Sequence, residues 1–182
     1  MAAIFNNVIG QQQKKKIYLA PDDHTDYMWS TNEEGYRQAF LDMLDYYIKI
    51  NDSTSNEPYP YQSKWNCDGS FWVYTYEKNR SKEQFDKLIK QIKDGKITVP
   101  LNTLAGVHGI APTEATIRHM YYAGSLERRY GLDFDLVINM EDQVLPLGLS
   151  SIWAGSGAKY SWRGVCACAT KIKISRFNNR RN

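Results

Sequence analysis

Residues 133–142 read DFDLVINMED. The run from Leu136 to Met140 is apolar in four of five positions, with no alternation of apolar and polar residues. A strand with one wet face alternates, whereas a near-continuous apolar run fits a parallel strand covered on both faces. Two carboxylates, Glu141 and Asp142, follow at its carboxyl end.

The flanks support the same reading. Upstream, residues 111–131 (APTEATIRHMYYAGSLERRYG) carry Pro112 and Glu114 near a helix start and Gly131 as the stop. Downstream, residues 145–157 read as a short helix and 158–162 (AKYSW) as the next strand. Further out, KITVPL (96–101) is a strand of β-branched residues, preceded by a helix that Ser81 and Gln84 cap. Phe85, Leu88, Ile89 and Ile92 line one face of that helix, and Gly95 ends it. Residues 64–66 begin strand-like, and the segment becomes ambiguous after Gly69. A helix over about 31–50 carries the stripe Tyr36, Phe40, Leu44, with Thr31 and Glu34 as its capping box. Residues 17–20 (IYLA) give the first strand.

Strands alternating with helices predict an α/β fold with parallel β-α units. A closed eight-stranded barrel needs roughly 250 residues. With 182 residues, the chain is a small open α/β sheet or the first part of a larger barrel. The tail, which resembles neither a closing helix nor a strand, favours a parallel (β/α) barrel-like domain cut short. Residues 16–170 form that domain, 1–15 an N-terminal extension, and 171–182 a basic tail expected to be disordered.

Charge narrows the partners. The formal net charge is +3, but five Lys and Arg residues after position 170 supply +5, leaving −2 on residues 1–170. That body gives no electrostatic reason to bind nucleic acid. No apolar run approaches the ~20 residues that span a bilayer, and the start places its charges after a short apolar patch, the reverse of a secretory signal. A soluble chain without membrane partners is expected. Cys67, Cys166 and Cys168 lack zinc-site companions and read as reduced thiols.

Ligands of parallel α/β folds bind at the carboxyl ends of the strands. Polar groups recur at four such exits: Asp22, Asp23, His24 and Asp26; Asn66, Cys67 and Asp68; Asn102 and Thr103; Glu141 and Asp142. Asp and Asn also cap helices, so a single exit decides little. His24 and Asp26 are alternate residues, and on an extended segment both point to one side. An imidazole nitrogen beside carboxylate oxygens suits zinc or another divalent cation, with Asp142 the best placed third ligand. His119 reads as a helix-surface residue, and His108 lies in a loop within reach of a ligand.

In their order these parts resemble the N-terminal catalytic domain of glycoside hydrolase family 38, the retaining α-mannosidases. The matching parts are H-x-D in APDDHTDYMW, the aromatic-rich KWNCDGSFWVYTYEKN, LIKQIKDGKITVP, YYAGSLERRYG, and LVINMED followed by WAGSGAKYSW. The similarity covers most of residues 15–165, and it implies an incomplete seven-stranded β/α barrel. It implies zinc held by His24, Asp26 and Asp142, with Asp142 also the nucleophile that forms a glycosyl-enzyme. It also implies an α-mannoside-like glycan as partner, with Trp29, Trp65, Asp68, Asn102 and Glu141 as substrate-binding candidates. The run VINMEDQVLP departs from the family's W-x-x-D-x-F-G, and no clear general acid follows the third strand, where only Asn102 or Glu114 lies near. The family's last zinc-binding histidine lies beyond this chain. A fragment with impaired activity is therefore expected, with missing C-terminal domains or self-association. Two other readings remain: a carbohydrate-binding protein of the same fold without turnover, and a metal-dependent polysaccharide deacetylase using Asp22 and Asp23. The absent H-x-x-x-H pair counts against the second.

Overall fold

The computed structural model describes residues 17, 19–104, 106, 108–140 and 145–164. Glu141, Asp142, Cys166, Cys168, the extension 1–15 and the tail 171–182 lie outside the described residues. Helices and strands follow as α1 (Glu33–Ser53), β1 (Trp65–Asn66), α2 (Ser70–Asn79), α3 (Lys82–Lys93), β2 (Ile97–Thr98), α4 (Thr113–Arg118), α5 (Tyr121–Tyr130), β3 (Leu136–Met140), α6 (Leu149–Gly155) and β4 (Tyr160–Gly164). No helix among the described residues is long and apolar enough to cross a membrane.

Every described strand pairing is parallel. Strand β1 pairs with β2 through Trp65 and Ile97, and β3 pairs with β4 along five residues from Leu136 and Tyr160. Asp22 makes a parallel bridge to Asn66 on the other side of β1. The expected neighbours 97–101 and 136–140 do not form a continuous ladder. Among the described residues one backbone bond joins them, Leu101 N–H to Leu136 O at 2.8 Å.

The Asn102 side chain completes that junction. Its Nδ2 donates to Ile138 O at 2.7 Å, and its Oδ1 accepts from Ile138 N–H at 2.9 Å. A side-chain amide thus stands in for a peptide group between the two strand pairs. Asn102 is 1 % exposed, so these groups have no water to fall back on.

The ambiguous stretch after Gly69 is the helix α2, and its start explains why the sequence did not show it. No side chain caps it. Its first N–H groups donate instead to carbonyls at the β2 exit, Ser70 to Asn102 and Phe71 to Thr103, both at 2.9 Å. Gly69 is needed for that approach, because a Cβ there would collide with Thr103 O. Helix α3 has the expected Ser81–Gln84 capping box, and Gly131 ends α5 at φ 63°.

Three other expectations shift. Helix α1 is capped by Asn32, whose side chain accepts from Gly35 N–H at 3.0 Å, not by Thr31. The single helix expected over 111–131 is two, parted at His119 and Met120. Ile17, Leu19 and Ala20 are exposed and in no strand, and pairing begins only at Asp22.

The core is aromatic where α1 and α2 meet the strands. Phe40 stacks on Trp72 with ring centroids 4.3 Å apart, and Tyr47 stacks on Trp65 at 4.5 Å. Leu44, Val73, Leu88, Ile97, Leu126 and Val137 fill the space around them.

Replacing Asn102 by Ala strands a buried N–H and a buried C=O of Ile138. Unsatisfied buried groups cost about 1–3 kcal/mol each, so urea denaturation should show Asn102→Ala destabilised by about 2–4 kcal/mol.

Candidate functional site at the strand exits

The segment after Asp22 alternates sides residue by residue. Asp23 faces inward, and its Oδ2 accepts from Trp65 Nε1–H at 2.8 Å. Thr25 also faces inward and is buried: its N–H donates to Asp68 Oδ2 at 2.8 Å, and its Oγ1 accepts from Trp72 Nε1–H at 3.1 Å. His24 and Asp26 face outward, both exposed, with His24 Nε2 3.1 Å from Asp26 Oδ1. Buried indole N–H groups need acceptors, and the inward members of the run supply them.

A tight turn follows. Trp29 N–H donates to Asp26 O at 3.0 Å, and the Tyr36 hydroxyl donates to the same carbonyl at 2.5 Å. Met28 sits at φ 65°, an uncommon conformation for a non-glycine residue. The turn leaves Trp29 84 % exposed beside the His24–Asp26 pair.

The exit of β1 meets this segment, the β2 exit lies against that of β1, and the β2 exit reaches β3 at Ile138. Asp68 meets Thr25, Gly69 lies against Thr103, and Asn102 clamps Ile138. Asp68 is fully buried, and its Oδ1 has no partner among the described residues. Burial pushes its carboxyl up to about 6, against the pull of the Thr25 N–H and hydroxyl.

The other candidates are placed as follows. Trp65 is buried, with its ring against Tyr47 and its N–H on Asp23, so it belongs to the core and offers no open face to a sugar. Asn102 is committed to the strand junction and also donates to Leu104 O at 3.1 Å. Glu114 is exposed and paired with Arg118 within α4. His119 is not on a helix surface: it ends α4, its Nδ1 is 3.0 Å from Thr103 Oγ1, and burial lowers its basicity. His108 is buried, with its ring 5.4 Å from that of His119 and 6.0 Å from Trp153. Sequence reasoning missed Thr25 and Tyr36, which hold the segment. The signal for Thr25 was its place between two outward polar residues.

His24 and Asp26 fit a shared cation. Two donors at ~2.1 Å from one tetrahedral ion lie ~3.4 Å apart, close to the 3.1 Å seen here. Among the described residues no group of three or more His, Cys, Asp or Glu side chains gathers for a metal. The expected third ligand, Asp142, is outside them.

Parallel strands with polar groups at their carboxyl ends define an α/β fold, and the solved structures bear on which. An alpha-mannosidase from Enterococcus faecalis V583 matches with a TM-score of 0.69 at 16 % identity, covering 82 % of this chain and 16 % of that one. A protein of glycosyl hydrolase family 38 from Enterococcus faecalis matches at 0.61 and 15 % identity, covering 81 % of this chain and 16 % of that one. A 4-alpha-glucanotransferase from Thermococcus litoralis matches at 0.53 and 15 % identity, over 78 % and 21 %. At such identities the likeness is one of fold, and the chain has a glycosidase-like fold. It spans about a sixth of the two Enterococcus proteins. No family model and no curated protein matches it.

The raised Asp68 pKa makes stability depend on pH. The folded protein holds that proton to about pH 6, against an ordinary 3.8. The contribution is therefore fully present below pH 3.8 and is lost as pH rises through 6. Asp68→Asn keeps an oxygen for Thr25 N–H but does not titrate. Urea denaturation at pH 4, 5, 6 and 7 should show the stability of wild type falling relative to Asp68→Asn across that window. A constant difference would refute the assignment.

Proposed function

We propose that the chain is part of a zinc-assisted retaining α-mannosidase of the glycoside hydrolase family 38 type, its parallel units belonging to a (β/α) barrel. The observation that carries this reading is the outward His24–Asp26 pair, 3.1 Å apart at the exit of the first parallel segment, in a chain with a glycosidase-like fold.

In this reading His24, Asp26 and Asp142 would hold the ion, which would supply Lewis-acid stabilisation of charge that develops on the sugar. Asp142 would attack the anomeric carbon as the bond to the glycosidic oxygen breaks, the leaving group departing as an alcohol with a proton from solvent. Water would then hydrolyse the glycosyl ester to free the sugar and the carboxylate. Trp29, exposed beside the pair, offers an apolar face to the ring, with Glu141 as a further polar contact. Asp68 is buried away from solvent and acts from behind the site.

Titration calorimetry with zinc tests the pair. Wild type should bind one ion per chain, and His24→Ala or Asp26→Ala should weaken binding by more than the roughly 10–100-fold that loss of a supporting group costs. In saturation-transfer NMR, the zinc-loaded chain should contact methyl α-mannoside, and both chelation and Trp29→Ala should abolish the signal. Zinc binding untouched by either ligand substitution would overturn the reading.

A further inference from the structure

We propose that Asp68 is a positioning residue, which through Thr25 fixes the register that turns His24 and Asp26 outward together. In an extended segment a slip of one residue exchanges the inward and outward sets. Here such a slip would bury His24 and Asp26 and expose Thr25. The sheet holds the register only at the start of the run, where Asn66 N–H donates to Pro21 O at 3.0 Å beside the Asp22–Asn66 bridge. Among the described residues no strand pairs Thr25, so past that bridge something else must hold it.

The inward contacts include the Thr25 hydroxyl on Asp68 and three further bonds. Trp65 and Trp72 donate to the Asp23 and Thr25 side chains, and those bonds tolerate side-chain rotation. Asp68 alone accepts a backbone N–H, that of Thr25, at 2.8 Å. A bond to the main chain specifies which residue of the run faces in.

Asp68 is itself fixed on both sides. Cys67 N–H donates to Thr98 O at 2.9 Å, continuing the β1–β2 ladder, and Ser70 N–H ties the first turn of α2 to Asn102 O. A carboxyl with no solvent exposure cannot touch a substrate, and burying it costs free energy that an apolar residue of similar size would not. Its place between two rigid anchors, aimed at the residue between the two outward groups, gives that carboxyl a role.

The orientation is tested on the metal-free chain, independently of any ion. Amide hydrogen exchange should show Thr25 N–H protected in wild type. In Asp68→Leu its exchange should accelerate at least tenfold, and the NMR resonances of the His24 ring should move as its contact with Asp26 is lost. Asp68→Asn, which keeps an acceptor, should restore both. Should Asp68→Leu fail to fold, Asp68→Ser, too short to reach Thr25, replaces it. Tyr122→Phe, which removes a 2.7 Å bond from α5 to Glu77 on α2, should change global stability but neither readout. Undisturbed Thr25 protection in Asp68→Leu, or no recovery in Asp68→Asn, would sink the proposal.

The cation arm rests on the reading of His24 and Asp26 as ligands. Zinc affinity should fall about 10–100-fold in Asp68→Leu and return in Asp68→Asn. Failure of wild type to bind zinc would count against the proposed function alone, since Thr25 exchange and the His24 ring still decide the role of Asp68.

Discussion

The hydrogen bond from Thr25 N–H to Asp68 Oδ2 is the constraint on which the candidate site depends. One residue turned inward between two turned outward leaves His24 Nε2 and Asp26 Oδ1 3.1 Å apart on the outer side of a short stretch of chain. The energetic balance is uneven. The backbone N–H gains a charge-assisted acceptor, while the carboxyl forgoes hydration and keeps one oxygen without a partner among the described residues. The raised Asp68 pKa records that burial outweighs the bonds it receives.

The same economy of means joins the strands. The ladder between 97–101 and 136–140 stops after Leu101, and the Asn102 amide takes the place of a peptide group against Ile138. The carbonyls of Asn102 and Thr103 then accept the first N–H groups of α2, so one short segment closes the strand junction and starts a helix. Gly69 permits the approach. Asp68 lies directly before that glycine, and the geometry of the site is therefore coupled to the packing of the β1 and β2 exits.

What could be read from the sequence was local or periodic. The stripe of Phe40 and Leu44, the capping box of Ser81 and Gln84, and the stop at Gly131 each involve residues a few positions apart, and the structure has them. So does the shared side of His24 and Asp26, which follows from the period of an extended chain. What could not be read depends on partners far along the chain. Helix α2 takes its cap from residues 102 and 103, Trp65 turns to the core because Asp23 and Tyr47 receive it, and Asn102 serves Ile138 instead of a ligand. The apolar look of residues 17–20 suggested burial, yet Ile17, Leu19 and Ala20 are exposed, and among the described residues the first backbone bond to β1 falls at Pro21.

X-ray absorption at the zinc edge of the loaded protein tests most directly the claim that this segment presents a cation site. The account predicts a first shell of nitrogen and oxygen at about 2.0–2.2 Å, with an imidazole signature that disappears in His24→Ala. A sulfur shell at about 2.3 Å, or a shell of water that the substitution leaves unchanged, would contradict it.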